Sequence, residues 1–152
     1  NKLIGGILVN VITNFFERKE QKRLLFERNA LVELTLTEVI KDARKRFLPY
    51  YDRSLYIRKE LEETCIDVAI EAYLAGVSYS RFSHYGETEQ KVRERAGRDM
   101  KQFTDTLYDY WLFWGEYDAV LEELYVTCET FIERWWCFGF QKGVKRSRLR
   151  LH

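Results

Sequence analysis

Glu63, Asp67 and Glu71 stand at i, i+4 and i+8, so a helix through them carries three carboxylates on one face. Carboxylates turned into a helical bundle can hold a pair of metal ions, but familiar sites of that kind add Glu-x-x-His from two helices. The chain has two histidines, His84 and His152, and neither follows a Glu by three residues. The stripe is therefore expected to be the solvated edge of a buried helix, or to pair with Arg81 or the run Arg44-Lys45-Arg46. A carboxylate metal site on Glu63, Asp67 and Glu71 is the weakest of the functional readings, and no cofactor is expected. Asp99 falls on an apolar stripe between Ala96 and Phe103. A carboxylate there must be paired or neutralised. A salt bridge or an exposed helix start is expected, with a shifted-pKa acid as the functional alternative.

His84 sits among Ser80, Arg81, Ser83, Tyr85 and Glu87. A Ser/His catalytic pair also needs an orienting third group and an oxyanion hole, and adjacency in sequence supplies neither. Gly-x-Ser-x-Gly, phosphate-loop and HExxH patterns are absent from the sequence. Tyr79, Arg81, His84 and Tyr85 thus read as an exposed recognition loop over 79–86 rather than as a catalytic site.

Two other features could carry binding. Lys145, Arg146, Arg148 and Arg150 form a basic C-terminal tail with no acid after Lys145. With Arg44, Lys45 and Arg46 they could contact phosphates or anionic lipid. Arg148 and Arg150 alternate with Leu149 and Leu151, which suits an extended segment docked on the body. The second feature is an aromatic surplus. Most of the Trp and Tyr cluster is core by its spacing, but Trp111, Phe113, Trp136 and Phe140 fall outside the main apolar stripes of their helices. They either widen the core against the first helix or leave an exposed patch around Trp111 and Trp136, of the kind that anchors partners.

Helices must position these residues. One helix is predicted over 10–31. A second follows Thr35-Leu-Thr-Glu38, where hydroxyl and carboxylate can satisfy free N–H groups, and ends before Pro49. A third, over 54–80, is apolar nearly all round (Leu61, Cys65, Val68, Ala69, Ala72, then Ile66, Ile70, Tyr73, Leu74, Val77) and so is the central helix. The fourth, over 88–114, has the stripe Val92, Ala96, Phe103, Leu107, Tyr110 and Trp114, with Gly115 closing it. The fifth, over 117–140, has Val120, Leu124, Cys128, Phe131, Trp135 and Phe138, with Gly139 and Gly143 ending it.

One Pro and 8 Gly in 152 residues leave little punctuation, which favours long helices. The prediction is an all-α, single-domain bundle of about five helices with an aromatic-rich core: residues 1–10 an extension or expression remnant, 11–143 the bundle, 144–152 the basic tail. A chain of this length buries about 70% of its unfolded surface and needs no disulfide or metal to hold it. Cys65, Cys128 and Cys137 are odd in number and contain no CxxC, as expected of reduced thiols in a cytoplasmic protein. The formal charge of +1 argues against general nucleic-acid binding. No stretch reaches the roughly 20 apolar residues of a membrane span, and the apolar run at 3–9 lacks the flanks of a signal peptide.

Four segments, Ala69-Ile-Glu-Ala-Tyr-Leu-Ala-Gly-Val-Ser-Tyr-Ser-Arg-Phe82, Tyr108-Asp-Tyr-Trp-Leu-Phe-Trp-Gly115, Trp135-Trp-Cys-Phe-Gly-Phe-Gln-Lys-Gly143 and Arg148-Leu-Arg-Leu-His152, resemble an uncharacterised family of small Bacillus-type proteins. This is the YbaK group of unknown function, distinct from the tRNA-editing deacylase of the same name. The resemblance covers about 10–152 and implies a cytoplasmic protein of Gram-positive spore formers. It implies no activity and no catalytic residue. The functional expectation is a non-enzymatic interaction or regulatory protein that binds a protein partner or its own copy. A nucleic-acid or anionic-surface binder working through the basic tail is the alternative.

Overall fold

The computed structural model describes residues 36–50, 55–114 and 121–150, all within the compact unit Leu34–His152. Every element in them is helical. The chain order is α1 (Leu36–Phe47), a 3₁₀ turn (Leu48–Tyr50), α2 (Leu55–Tyr79), a second 3₁₀ turn (Ser80–Tyr85), α3 (Glu89–Arg95), α4 (Gly97–Trp114) and α5 (Leu121–Arg150). The predicted helix over 10–31 and the extension over 1–10 lie outside the described residues.

The apolar periodicity accounts for the core. Leu61, Cys65, Val68, Ala69 and Ala72 of α2 are all buried, as are Val92, Ala96 and Leu107 of α3–α4 and Leu124, Cys128, Phe131 and Trp135 of α5. Helix α4 runs antiparallel to α2, with Tyr110 beside Glu60 at one end and Tyr79 beside Asp99 at the other. With α3 ahead of it, α4 also runs antiparallel to α5, where Tyr125 meets Asp105 of α4 and Glu133 meets Arg93 of α3. Helices α2 and α5 are therefore parallel, and they share the largest interface in the unit.

Glycine makes that interface possible. A Cβ on Gly76 would lie 2.0 Å from the Trp136 carbonyl oxygen, and one on Gly139 would lie 1.9 Å from that of Tyr73. The two backbones touch directly, so Gly139 and Gly143 do not end the last helix as expected. It continues to Arg150, because inside a helix these glycines provide close approach rather than a left-handed cap. The basic residues Lys145, Arg146, Arg148 and Arg150 accordingly ride on α5 and form no extended tail.

Helix α1 closes the open side of this frame. Phe47 stacks on Trp111 at 4.9 Å and meets Phe131 edge-on at 5.4 Å, while Tyr50 meets Trp111 edge-on at 6.4 Å. Asp42 ties α1 to α5 by accepting from the Trp135 indole N–H at 2.9 Å and from Arg46 at the same distance. The predicted fourth helix is split at Ala96. Its hydrogen-bond ladder runs through the join (Ala96 N–H to Val92 O, 3.0 Å; Met100 N–H to Ala96 O, 2.9 Å), and Gly97, a poor helix former, starts the second half. Thr88 caps α3 by accepting from the Lys91 N–H.

Candidate functional site

The sequence set apart the 79–86 segment and the basic C-terminus as separate features. The fold brings them together. Past Tyr79 the chain tightens into a 3₁₀ turn over Ser80–Tyr85 instead of an irregular loop, and Gly86, at φ +85°, closes it with its N–H on Ser83 O. This turn packs against α5. Phe82 holds the turn down: the guanidinium groups of Arg81 and Arg95 lie 5.0 Å and 4.9 Å from its ring centre. Arg95 is fixed in turn by a bidentate pair with Glu87. Gly143 lets α5 approach the turn, since a Cβ there would lie 2.1 Å from Ser80 Oγ.

The surface so made is cationic. Arg81, His84, Lys145 and Arg148 are exposed, and none of them pairs with a carboxylate among the described residues. Tyr85, at the tip, is 82% exposed. Arg146 is half-buried between Lys145 and Ser147. Two concavities flank the α5 edge. A cleft of about 220 Å³ is lined by Ser80, Ser83, His84, Val144, Ser147 and Arg148. An adjoining groove of about 640 Å³ shares Ser83, Val144 and Arg148 with it and adds Phe140, Lys145, Leu149 and one acid, Glu89. The side chain of Arg150 lies outside the described residues.

Tyr79 belongs to this end and is half-buried, donating its hydroxyl to Asp99 Oδ2 at 2.7 Å. Of the two expectations, Asp99 does stand in the first turn of its helix, half-buried, and it is met by a neutral donor instead of a salt bridge. The same bond, with some burial and the Asp99 charge, raises the Tyr79 pKa above 10.0. A raised folded pKa means the bond contributes fully below pH 10 and is lost as pH climbs through the folded value. Tyr79→Phe is expected to cost about 1 kcal/mol, constant below pH 10, with the difference from wild type shrinking above it in denaturant titrations.

The remaining candidates fare differently. Trp111 and Trp136 are both 0% exposed, so of the two alternatives they widen the core, and no partner-anchoring patch forms around them. Trp111 is covered by Phe47 and Tyr50, and Trp136 by Phe140 stacked at 5.3 Å and by Tyr79. The stripe misjudged Phe138, which is 37% exposed, while Phe113, set outside the stripes, is 79% exposed. Glu63, Asp67 and Glu71 are all exposed on α2, and among the described residues no group of acids, histidines and cysteines could hold a metal. Arg44 pairs bidentately with Glu62 (3.0 and 2.8 Å), not with a stripe carboxylate, and Arg46 pairs with Asp42, while Lys45 is exposed and pairs with no acid among the described residues.

The three thiols are free, with Cys65 and Cys128 buried and Cys137 half-buried. Burial pushes the Cys65 thiol up to about 12, although a hydrogen bond with Trp111 works the other way. It raises Cys128 as well. Since the thiolate is the reacting form, neither is expected to react with a disulfide reagent at pH 8 in the folded protein. All three should react once it is unfolded, and a thiol count with and without denaturant checks this.

A helical unit with a built cationic face is the class of protein the described residues define. The chain belongs to a family described as protein of unknown function (DUF2521), whose match spans residues 9–152. It is 32% identical over 143 residues to an uncharacterized protein, YbaK, of Bacillus subtilis (strain 168), a match that covers 92% of this chain and 97% of that relative. No solved structure matches the chain. No helix among the described residues is long and apolar enough to cross a membrane.

Proposed function

We propose that this chain works by binding, and that it takes an acidic protein partner on the face made by the Ser80–Tyr85 turn and the last turns of α5. The reading rests on the joining of Arg81, His84, Lys145 and Arg148, none of them paired with an acid among the described residues, around the exposed ring of Tyr85. Arg and Tyr are favoured interface anchors, and a rigid helical base holds them at little entropic cost. Part of the positive charge answers the negative end of the α5 dipole. That end carries only about half a unit charge, which leaves most of the field for a partner. Near-zero net charge favours a local acidic contact over a long phosphate backbone. The three free thiols agree with a cytoplasmic setting.

Capture from the native lysate tests the reading, with and without nuclease and at two salt concentrations. A protein partner is expected to survive nuclease, to weaken with salt, and to be lost from Arg81→Glu/Lys145→Glu while Lys45→Glu retains it. Capture that disappears with nuclease would replace the protein partner with nucleic acid.

A further inference from the structure

We infer that the cleft between the Ser80–Tyr85 turn and α5 is a binding site for a phosphate monoester group. The inference rests on the binding reading above and names the chemistry within that face. The lining supplies hydroxyls from Ser80, Ser83 and Ser147, the imidazole of His84 and the guanidinium of Arg148, with Val144 as its one apolar residue and no carboxylate. Such a set repels no anion and offers a cation nothing charged to bind. Ser80 Oγ already donates to Val77 O at 2.5 Å, so it forms a wall. The donors left for a ligand are Ser83, Ser147, His84 and Arg148, none of which bonds to another described side chain. A guanidinium fork matches two oxygens of a phosphoryl group, and hydroxyls from both elements can reach the others. Gly143 keeps the wall in place by letting α5 sit against Ser80.

Size selects the ligand further. At about 220 Å³ the cleft is smaller than the roughly 300–1,000 Å³ of sites that enclose whole metabolites. It suits a charged group carried on something larger, or the free ion. The adjoining groove opens from the same Ser83, Val144 and Arg148 and offers Lys145 and the exposed Leu149 to whatever bears the group. A phosphorylated side chain with its flanking residues fits this pairing of small polar cleft and longer mixed groove.

Calorimetric titration tests the site with inorganic phosphate, a short Gly/Ala peptide carrying one phosphoserine, and the same peptide with Ser or Glu at that position. The expected result is saturable binding of the phosphopeptide, at least about tenfold tighter than the Ser and Glu forms. Arg148→Gln should weaken it by about tenfold or more, Ser147→Ala by less, and Lys45→Glu not at all. Arg148 is exposed and Ser147 half-buried, and helix content by circular dichroism confirms that both variants fold. Phosphate that binds with the same dependence on Arg148, and as tightly as the peptide, supports the site and makes the free ion its ligand. Equal binding of the Glu and phosphoserine peptides overturns the phosphoryl assignment while leaving the acidic-partner reading standing. Absence of binding by both phosphate and phosphopeptide, in a protein that still captures its partner through Arg81 and Lys145, overturns the inference alone.

Discussion

Gly139→Ala is expected to destabilise the protein by about 3 kcal/mol, at the upper end of overpacking costs, although alanine is the better helix former by about 1 kcal/mol. The sign follows from what the new methyl meets. It would lie 1.9 Å from the carbonyl oxygen of Tyr73, a backbone atom that cannot swing aside. Relief requires α2 and α5 to separate, which thins the largest interface in the unit along its length. Gly76→Ala meets the Trp136 carbonyl at 2.0 Å and should behave alike. Gly97→Ala is the control. Its methyl has nothing within 4 Å, so helix propensity acts alone and stability should rise by up to about 1 kcal/mol. Urea midpoints for the three variants check this. Opposite signs for one chemical change are the expected outcome.

Trp111→Ala is expected to cost about 4 kcal/mol, within the range for deleting a buried aromatic side chain. The ring is fully buried between Phe47 and Tyr50 and beside the Cys65 thiol. Its loss leaves a void that three helices would have to collapse to fill. Trp111→Phe keeps a ring against Phe47 and should cost less than half as much. Thermal denaturation of the two variants measures the difference. A further consequence is local: with Trp111 gone, Cys65 loses its cover, and disulfide reagents should reach it in the folded state.

How legible these features were in the sequence depends on which rule each obeyed. The α2 stripe followed from periodicity, because local spacing decides it, and the fourth predicted helix begins at Thr88, where α3 is capped. Gly139 and Gly143 were misread because glycine has two uses. After a helix it takes the left-handed turn, and inside one it removes the Cβ at a crossing. The spacing Gly139-x-x-x-Gly143, opposite the small series Ala72, Gly76 and Ser80, carried the second meaning. Trp111 and Trp136 lie off the main stripes, which left open whether they widen the core or form an exposed patch. Both are buried because α1 covers the first and Phe140 with Tyr79 covers the second, and a helix's stripe says nothing of what packs on its flank. Asp99 was recognised as needing a partner, but Tyr79, twenty residues away, could be supplied only by the antiparallel pairing of α2 and α4.

The face itself was legible as two halves. Exposure of Arg81, His84 and Tyr85, and of Lys145 and Arg148, followed from their chemistry. Their union did not, since it depends on α5 continuing through its glycines to carry Lys145 and Arg148 alongside the Ser80–Tyr85 turn.

The most direct test of that face is amide hydrogen exchange on the protein with and without its captured partner. Protection concentrated at residues 80–86 and 143–149, with the α1–α5 groove around Lys41, Lys45 and Phe138 unchanged, is the predicted result. Protection confined to that groove or to the acidic face of α2, with 80–86 and 143–149 exchanging as in the free protein, would contradict it.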